Sequence, residues 1–214
     1  MHIPDGVLTA PVLAGGTAAA GLGVVVGLRK LDEEAFVKTA VLTSAFFVAS
    51  LIHVPLGFTS VHLVLNGLTG LLLGWAVFPA IAIGLLLQAI LFGFGGITAL
   101  GVNTVIMALP GALCHAGLLP SIRRGSPGRA FALGFGAGFG SIAAAALLQA
   151  LALMLSGRSF ALVAGYAIAA HVPVMIVEGF VTGSAVSFLR RVRPETFEYR
   201  REIVPHPIEA VVKP

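Results

Sequence analysis

The sequence predicts an all-α polytopic membrane protein, and three observations carry that reading. Hydrophobic residues fill 57% of the 214 positions and charged residues only 10%, against about 25% charged in a soluble domain. Mean hydropathy is +1.01. Apolar runs of about 20 residues recur along most of the chain, the length a helix needs to cross a hydrocarbon core of about 30 Å. The net charge of +4 then reads as membrane orientation, and nucleic-acid binding is set aside. The single cysteine, Cys114, excludes an intrachain disulfide and reads as a small core residue.

Seven spans are expected in order, near residues 9–28, 35–54, 61–76, 77–94, 101–122, 129–155 and 160–189. Residues 61–94 carry no charge and read at first as one helix. At 1.5 Å per residue that helix would reach about 50 Å, too long for the bilayer core. Trp75 and Pro79 mark the break, an interfacial aromatic beside a helix-start proline. Small residues at four-residue spacing, Gly15, Ala19, Gly23 and Gly27, and again Gly134/Gly138 and Gly136/Gly140, let helices approach closely.

Basic residues orient the spans. With seven crossings and the N-terminus outside, every Lys and Arg except Arg158 falls on the inner side: Arg29, Lys30 and Lys38, then Arg123, Arg124 and Arg129, then Arg190 and those beyond. A single helix over 61–94 would break that pattern. The expectation is N-terminus outside and C-terminus inside, with a membrane domain at 1–193. Its first eight residues form an arm, and 194–214 form a short cytoplasmic tail.

The arm, MHIPDG, is the stretch with chemistry in it. The Met1 α-amine, the His2 amide and the His2 imidazole are three nitrogens that close two nearly planar chelate rings on one ion. Such rings suit Cu(II), Ni(II) or Co(II) better than tetrahedral Zn(II). The chelate needs Met1 as the mature terminus, which the bulk of His2 favours by hindering Met removal. Pro4 biases Ile3 toward extended backbone, so the arm should be stiff. By themselves these residues also fit an ordinary frayed terminus.

Two connections fall on the arm's side of the membrane, HVPLGFTSVHL and FGFGGITALGVN. Both are free of charge and rich in glycine, and are expected to close over the arm. His62 is the candidate fourth ligand. Thr59 or Ser60 is expected to cap the third helix, with His62 in its first turn and Asn66 one turn on as an orienting partner. His62 also fits a residue that merely marks the interface. His53, at the expected end of the second helix, Asn103 and His171 complete the supporting set.

These residues resemble a known family. MHIPDG, VPLGFTSVHLVLNGLTG, LFGFGGITALGVNT and AHVPVMIVEGFVTGSAVSFLRR together are similar to the CbiM/NikM proteins, the substrate-specificity (S) components of energy-coupling factor (ECF) transporters for nickel or cobalt. The resemblance covers the chain to about Arg193. It implies a six-helix S-component core plus an extra N-terminal helix. It implies a metal held by the Met1 amine, the His2 amide and imidazole, and His62. The implied partners are two ATPase subunits, a transmembrane coupling subunit and often a small accessory membrane protein, in the cytoplasmic membrane. Where many relatives have Gly-Gly before the Thr-Ser pair and Gly before the histidine, this chain has Gly57-Phe58 and Val61.

The sequence contains no GxxxxGK[ST] loop, so ATP energy is expected from a partner and no catalytic residue is assigned. Two rivals stand beside this reading. One is a stand-alone metal channel or secondary carrier. The other is an intramembrane metalloenzyme built on His171 and Glu178 with His115, although no HExxH is present. Nickel and cobalt are both served by the same four nitrogens.

Overall fold

The computed structural model describes residues 2–56 and 59–197; within these, the side chains of residues 53–62, Glu34 and Arg158 are not described. Seven α-helices are described: α1 (Ala10–Leu28), α2 (Glu33–Ala49), α3 (Asn66–Leu73), α4 (Val77–Phe92), α5 (Leu100–Arg124), α6 (Pro127–Ser156) and α7 (Ala161–Val192). By length and composition α1, α5, α6 and α7 can each cross a membrane, as can Asn66–Phe92 taken as a whole, a stretch that is broken into α3 and α4. Ala35–Ala49 in α2 is a shorter apolar helix. The chain is a multi-pass membrane protein.

Local signals set most boundaries. A proline opens both α1 and α6, where its missing N–H costs nothing. Asp32 accepts from Ala35 N at 2.7 Å to cap α2, and Ser126 accepts from Arg129 N to cap α6. Gly93, with φ +67°, closes α4.

The third span is the main correction. Only Asn66–Leu73 is helical, eight residues or about 12 Å of rise. The stretch before it pairs as an antiparallel hairpin, β1 (His53–Leu56) with β2 (Thr59–His62), in register His53↔His62 and Leu56↔Thr59. The fold is therefore helical with one small hairpin. Thr59 and Ser60 lie in β2 and do not cap a helix, His62 is not in a first helical turn, and His53 lies in β1, beyond the end of α2 at Ala49. Pro55 and the β-branched Val54, Thr59 and Val61 favour extended chain over helix.

Residues 61–94 are not one helix, and the break falls at Gly74–Ala76, where Gly74 takes φ +57° and ψ −129°. A side chain there would meet the His115 ring. The chain reverses at this point. α3 runs alongside α5 in the same direction, with Asn66 bonded to Met107 and Gly70 against Gly111. α4 returns beside α2, with Gly84 against Phe46 and Gln88 Nε2 bonded to Ser50 Oγ at 2.6 Å.

About half of the small-residue stripes packs within the protein. Gly23 meets Phe78, Gly27 meets Trp75 and Pro79, and Gly134 meets Val186 and Gly183. Gly15, Gly136 and Gly140 face open space. The larger core cluster includes Ile3 and Leu8 of the arm; a smaller one gathers Leu71, Leu119, Ile122 and Phe197 at the opposite end. Immediately after α7, Pro194–Phe197 forms a 3-10 turn with Phe197 buried. Near it lies a cavity of about 460 Å³ lined by Lys30, Lys38, His115 and Arg123.

Candidate metal-binding site at the N-terminal arm

The arm is bolted to the core by its third residue. Ile3 is 1% exposed. Its N–H donates to Asn103 Oδ1 at 3.0 Å, and its carbonyl accepts from Asn103 Nδ2 at 3.0 Å. Asn103, one turn into α5 and itself buried, thus reads both polar groups of one arm residue. A carboxamide can do this because it carries donor and acceptor on one planar group.

Asp5 makes the second bolt. Its carboxylate accepts from the amides of Ile97, Thr98 and Ala99 and from the Thr98 hydroxyl. These amides precede α5, where orphan N–H groups and the helix dipole favour an anion. The Thr98 hydroxyl, followed by the three amides, holds the Asp5 carboxyl below its ordinary value. Gly96 is needed here, since a side chain on it would run into that carboxylate.

Between the bolts and the terminus stands His2. Its ring stacks on Phe94, with centroids 6.4 Å apart, and Phe94 continues onto Phe92 and Phe47. Gly95, at φ +74°, comes close to His2 Cβ and Nδ1. Of the two connections expected to close over the arm, the second does so through residues 94–99.

Met1 lies outside the described residues, as do the side chains of His53 and His62. The backbone brings His53 and His62 opposite one another in the hairpin. Asn66 is fully buried and committed elsewhere: Nδ2 donates to the Met107 carbonyl at 3.2 Å, and Oδ1 accepts from Ser141 Oγ at 3.1 Å. His171 Nδ1 pairs with the Ala167 carbonyl at 2.6 Å, inside its own helix. Sequence reasoning missed Asp5. The usable signal was an acid in the arm together with a Gly-Gly-Ile-Thr helix entrance that lacks an acceptor of its own.

The residues of the metalloenzyme rival have partners of their own. His115 Nδ1 pairs with the Leu71 carbonyl at 2.8 Å and faces the basic cavity, while Glu178 engages Val64 and Leu65. Among the described residues no group of three His, Cys, Asp or Glu side chains could hold a metal.

Comparison with known proteins decides the family. Residues 2–196 match the CbiM model, described as a cobalt uptake substrate-specific transmembrane region. The chain belongs to the CbiM family. A putative metal transport protein of Haemophilus influenzae is 42% identical over 200 residues, covering 91% of this chain and 96% of the relative. A fused nickel transport protein NikMN of Rhodobacter capsulatus is 36% identical, covering 94% of this CbiM-family chain and 65% of that longer protein. The crystal structure of a transition metal transporter superposes with a TM-score of 0.75 at 28% identity, covering 90% of this chain and 93% of that one.

Proposed function

We propose that this CbiM-family chain is the substrate-binding membrane subunit of an ATP-driven importer of the ECF type. Its substrate is a nickel or cobalt ion, captured by the N-terminal arm on the extracytoplasmic side and delivered across the cytoplasmic membrane. The observation that carries this reading is the arm itself. A frayed terminus would not have Ile3 buried, its backbone read by Asn103 and its Asp5 seated on the entrance of α5. That anchoring brings His2 to a fixed place against Phe94, and preorganisation of this kind favours a chelate of amine, amide and imidazole. Met1, His2 and His62 are the proposed ligands. Asn103 holds the arm; His53, Asn66 and His171 are supporting residues at most.

Seven crossings with the N-terminus outside fit the same picture. β2, the 63–65 stretch and α3 lead the chain back inward as the third crossing, part extended and part helical. The arm, the end of α4 and the start of α5 then share the outer side. Lys30, Lys38, Arg123 and Arg190 share the inner side, as positive charge should. ATPase subunits, a transmembrane coupling subunit and a small accessory protein are the proposed partners; the relative named as a fused NikMN is at least longer than this chain. A stand-alone carrier, by contrast, would move metal in proteoliposomes with no ATPase present.

The test uses purified protein with nothing preceding Met1. One added residue before Met1, or His2→Ala, should abolish high-affinity nickel binding while the protein remains folded. Unchanged affinity and stoichiometry in the extended protein would remove the amine as a ligand and overturn the reading. Affinity should also fall from about pH 8 to 6, where free amines and imidazoles take up protons. Calorimetry in buffers of different ionisation enthalpy counts the protons released; near zero at pH 7 with intact binding contradicts the chelate.

A further inference from the structure

α3 begins without a cap of its own. Its N-cap residue, Leu65, offers no side-chain acceptor and sits at φ 55° and ψ 17°, a left-handed conformation uncommon for a bulky residue. The acceptor comes from α7. Glu178 is 0% exposed, and its Oε1 accepts from Val64 N and, at 2.8 Å, from Leu65 N. Oε2 is buried with no hydrogen-bond partner among the described residues, so Oε1 is the atom that acts. A residue 113 positions away thus takes up the two amides at the helix entrance, that of the N-cap residue Leu65 and that of Val64 before it.

The oxygen is also held in place. Gly138 of α6 lies so close to the Glu178 backbone that a side chain there would collide with its carbonyl. α7 therefore has little freedom at this level. On the other side of the bond, β2 ends at His62, two residues before Val64. The bonds described for the neighbouring histidines go elsewhere, His171 to Ala167 and His115 to Leu71.

We propose that Glu178 is a positioning residue for metal binding. It accepts the two amides that follow β2, sets where the hairpin ends and so holds His62 at the metal site, without touching the ion. The inference rests on the reading of His62 as a ligand. It differs from a carboxylate that binds metal, because it requires an acceptor oxygen and no charge.

Nickel affinity of untagged purified protein, with thermal stability measured alongside, tests it. E178Q keeps an acceptor oxygen and should bind within about twofold of the parent. E178M has similar volume and no comparable acceptor, and should lose tenfold or more. His62→Ala leaves the three-nitrogen chelate, so its weaker binding remains measurable; adding E178M to it should cost nothing further. Parental affinity in E178M overturns the proposal. So does an E178Q as weak as E178M, which would make charge the requirement, or losses that multiply in the double variant. Should E178M not fold, E178D decides: it keeps the charge but withdraws the oxygen by one methylene, and parental affinity there overturns the proposal. A His62→Ala protein with parental affinity instead overturns the ligand reading.

Discussion

The two ends of the molecule solve the same problem with opposite charges. At the arm end, acceptors reach across the fold to unpaired amides. Asp5 takes those ahead of α5, Glu178 those ahead of α3, and Asn103 the Ile3 N–H. At the other end, cations reach for carbonyls. Arg190 donates to the carbonyls of Arg123 at 2.9 Å and Gly125 at 3.4 Å, Lys38 donates to Thr196 at 3.3 Å, and Arg123 donates to Phe197. Helix starts expose N–H groups and helix ends expose carbonyls. The long-range acceptors answer amides ahead of α5 and α3, and the cations answer carbonyls at the end of α5 and after α7. The starts of α2 and α6, at the basic end, are capped locally by Asp32 and Ser126. The difference teaches that the ends are separately held. On the proposed function the arm end is fastened to present a site, while the basic end is fastened to close the bundle.

That separation is breakable. The largest effect is expected from Asn103→Ala, which strips both bonds from Ile3 and leaves buried polar groups unpaired. We expect about 3 kcal/mol of lost arm docking, roughly a hundredfold in nickel Kd, with global stability changed far less. An affinity unchanged in a titration would show that the arm needs no bolt.

Arg190→Met should do the reverse. Losing two charge-assisted bonds costs about 1.5–3 kcal/mol of stability, read as a lower thermal midpoint, while nickel affinity stays at the parental value. A matching loss of affinity would mean that the ends communicate.

Asp5→Asn sharpens the comparison within the arm end. The Asp5 carboxyl sits below its ordinary value, so its contribution is complete above the unfolded value of about 3.9. It is lost as pH falls through the lower folded value. Amide exchange of residues 97–99 should accelerate in acid in the parent. In the Asn variant, exchange should already be moderately faster at neutral pH, with the acid step gone. An acid step that persists would assign it to another group.

The smallest effects compare two glycines two residues apart, on opposite faces of α6. Gly138→Ala forces a Cβ onto the Glu178 carbonyl and should cost about 1–3 kcal/mol. Gly140→Ala meets open space and should stay within about 0.5 kcal/mol. Equal thermal midpoints would place the close α6–α7 approach in doubt.

Much of this was legible in the chain. Hydropathy located the long helices to within a few residues, because a bilayer demands runs of a set length whatever they pack against. Trp75 and Pro79 located the break in 61–94. The charge-free glycine stretch marked the arm's cover, since loop composition is a local property. The third span was misread because hydropathy counts apolar residues and does not ask which are β-branched or next to Pro55.

Only the tertiary structure decided the rest. Whether Thr59–His62 is strand or helix depends on pairing with His53–Leu56, a contact that periodicity in one segment does not encode. Asn66 was expected to orient a histidine, yet Met107 and Ser141 claim its amide. Asp5 and Glu178 carry no local signature, because their partners lie 92 to 114 positions away. The sequence by itself determined which segments enter the membrane, since that is a transfer free energy summed residue by residue. Which acceptor meets which amide is a matter of distance in the folded chain, and that came only with the packing of α5, α6 and α7.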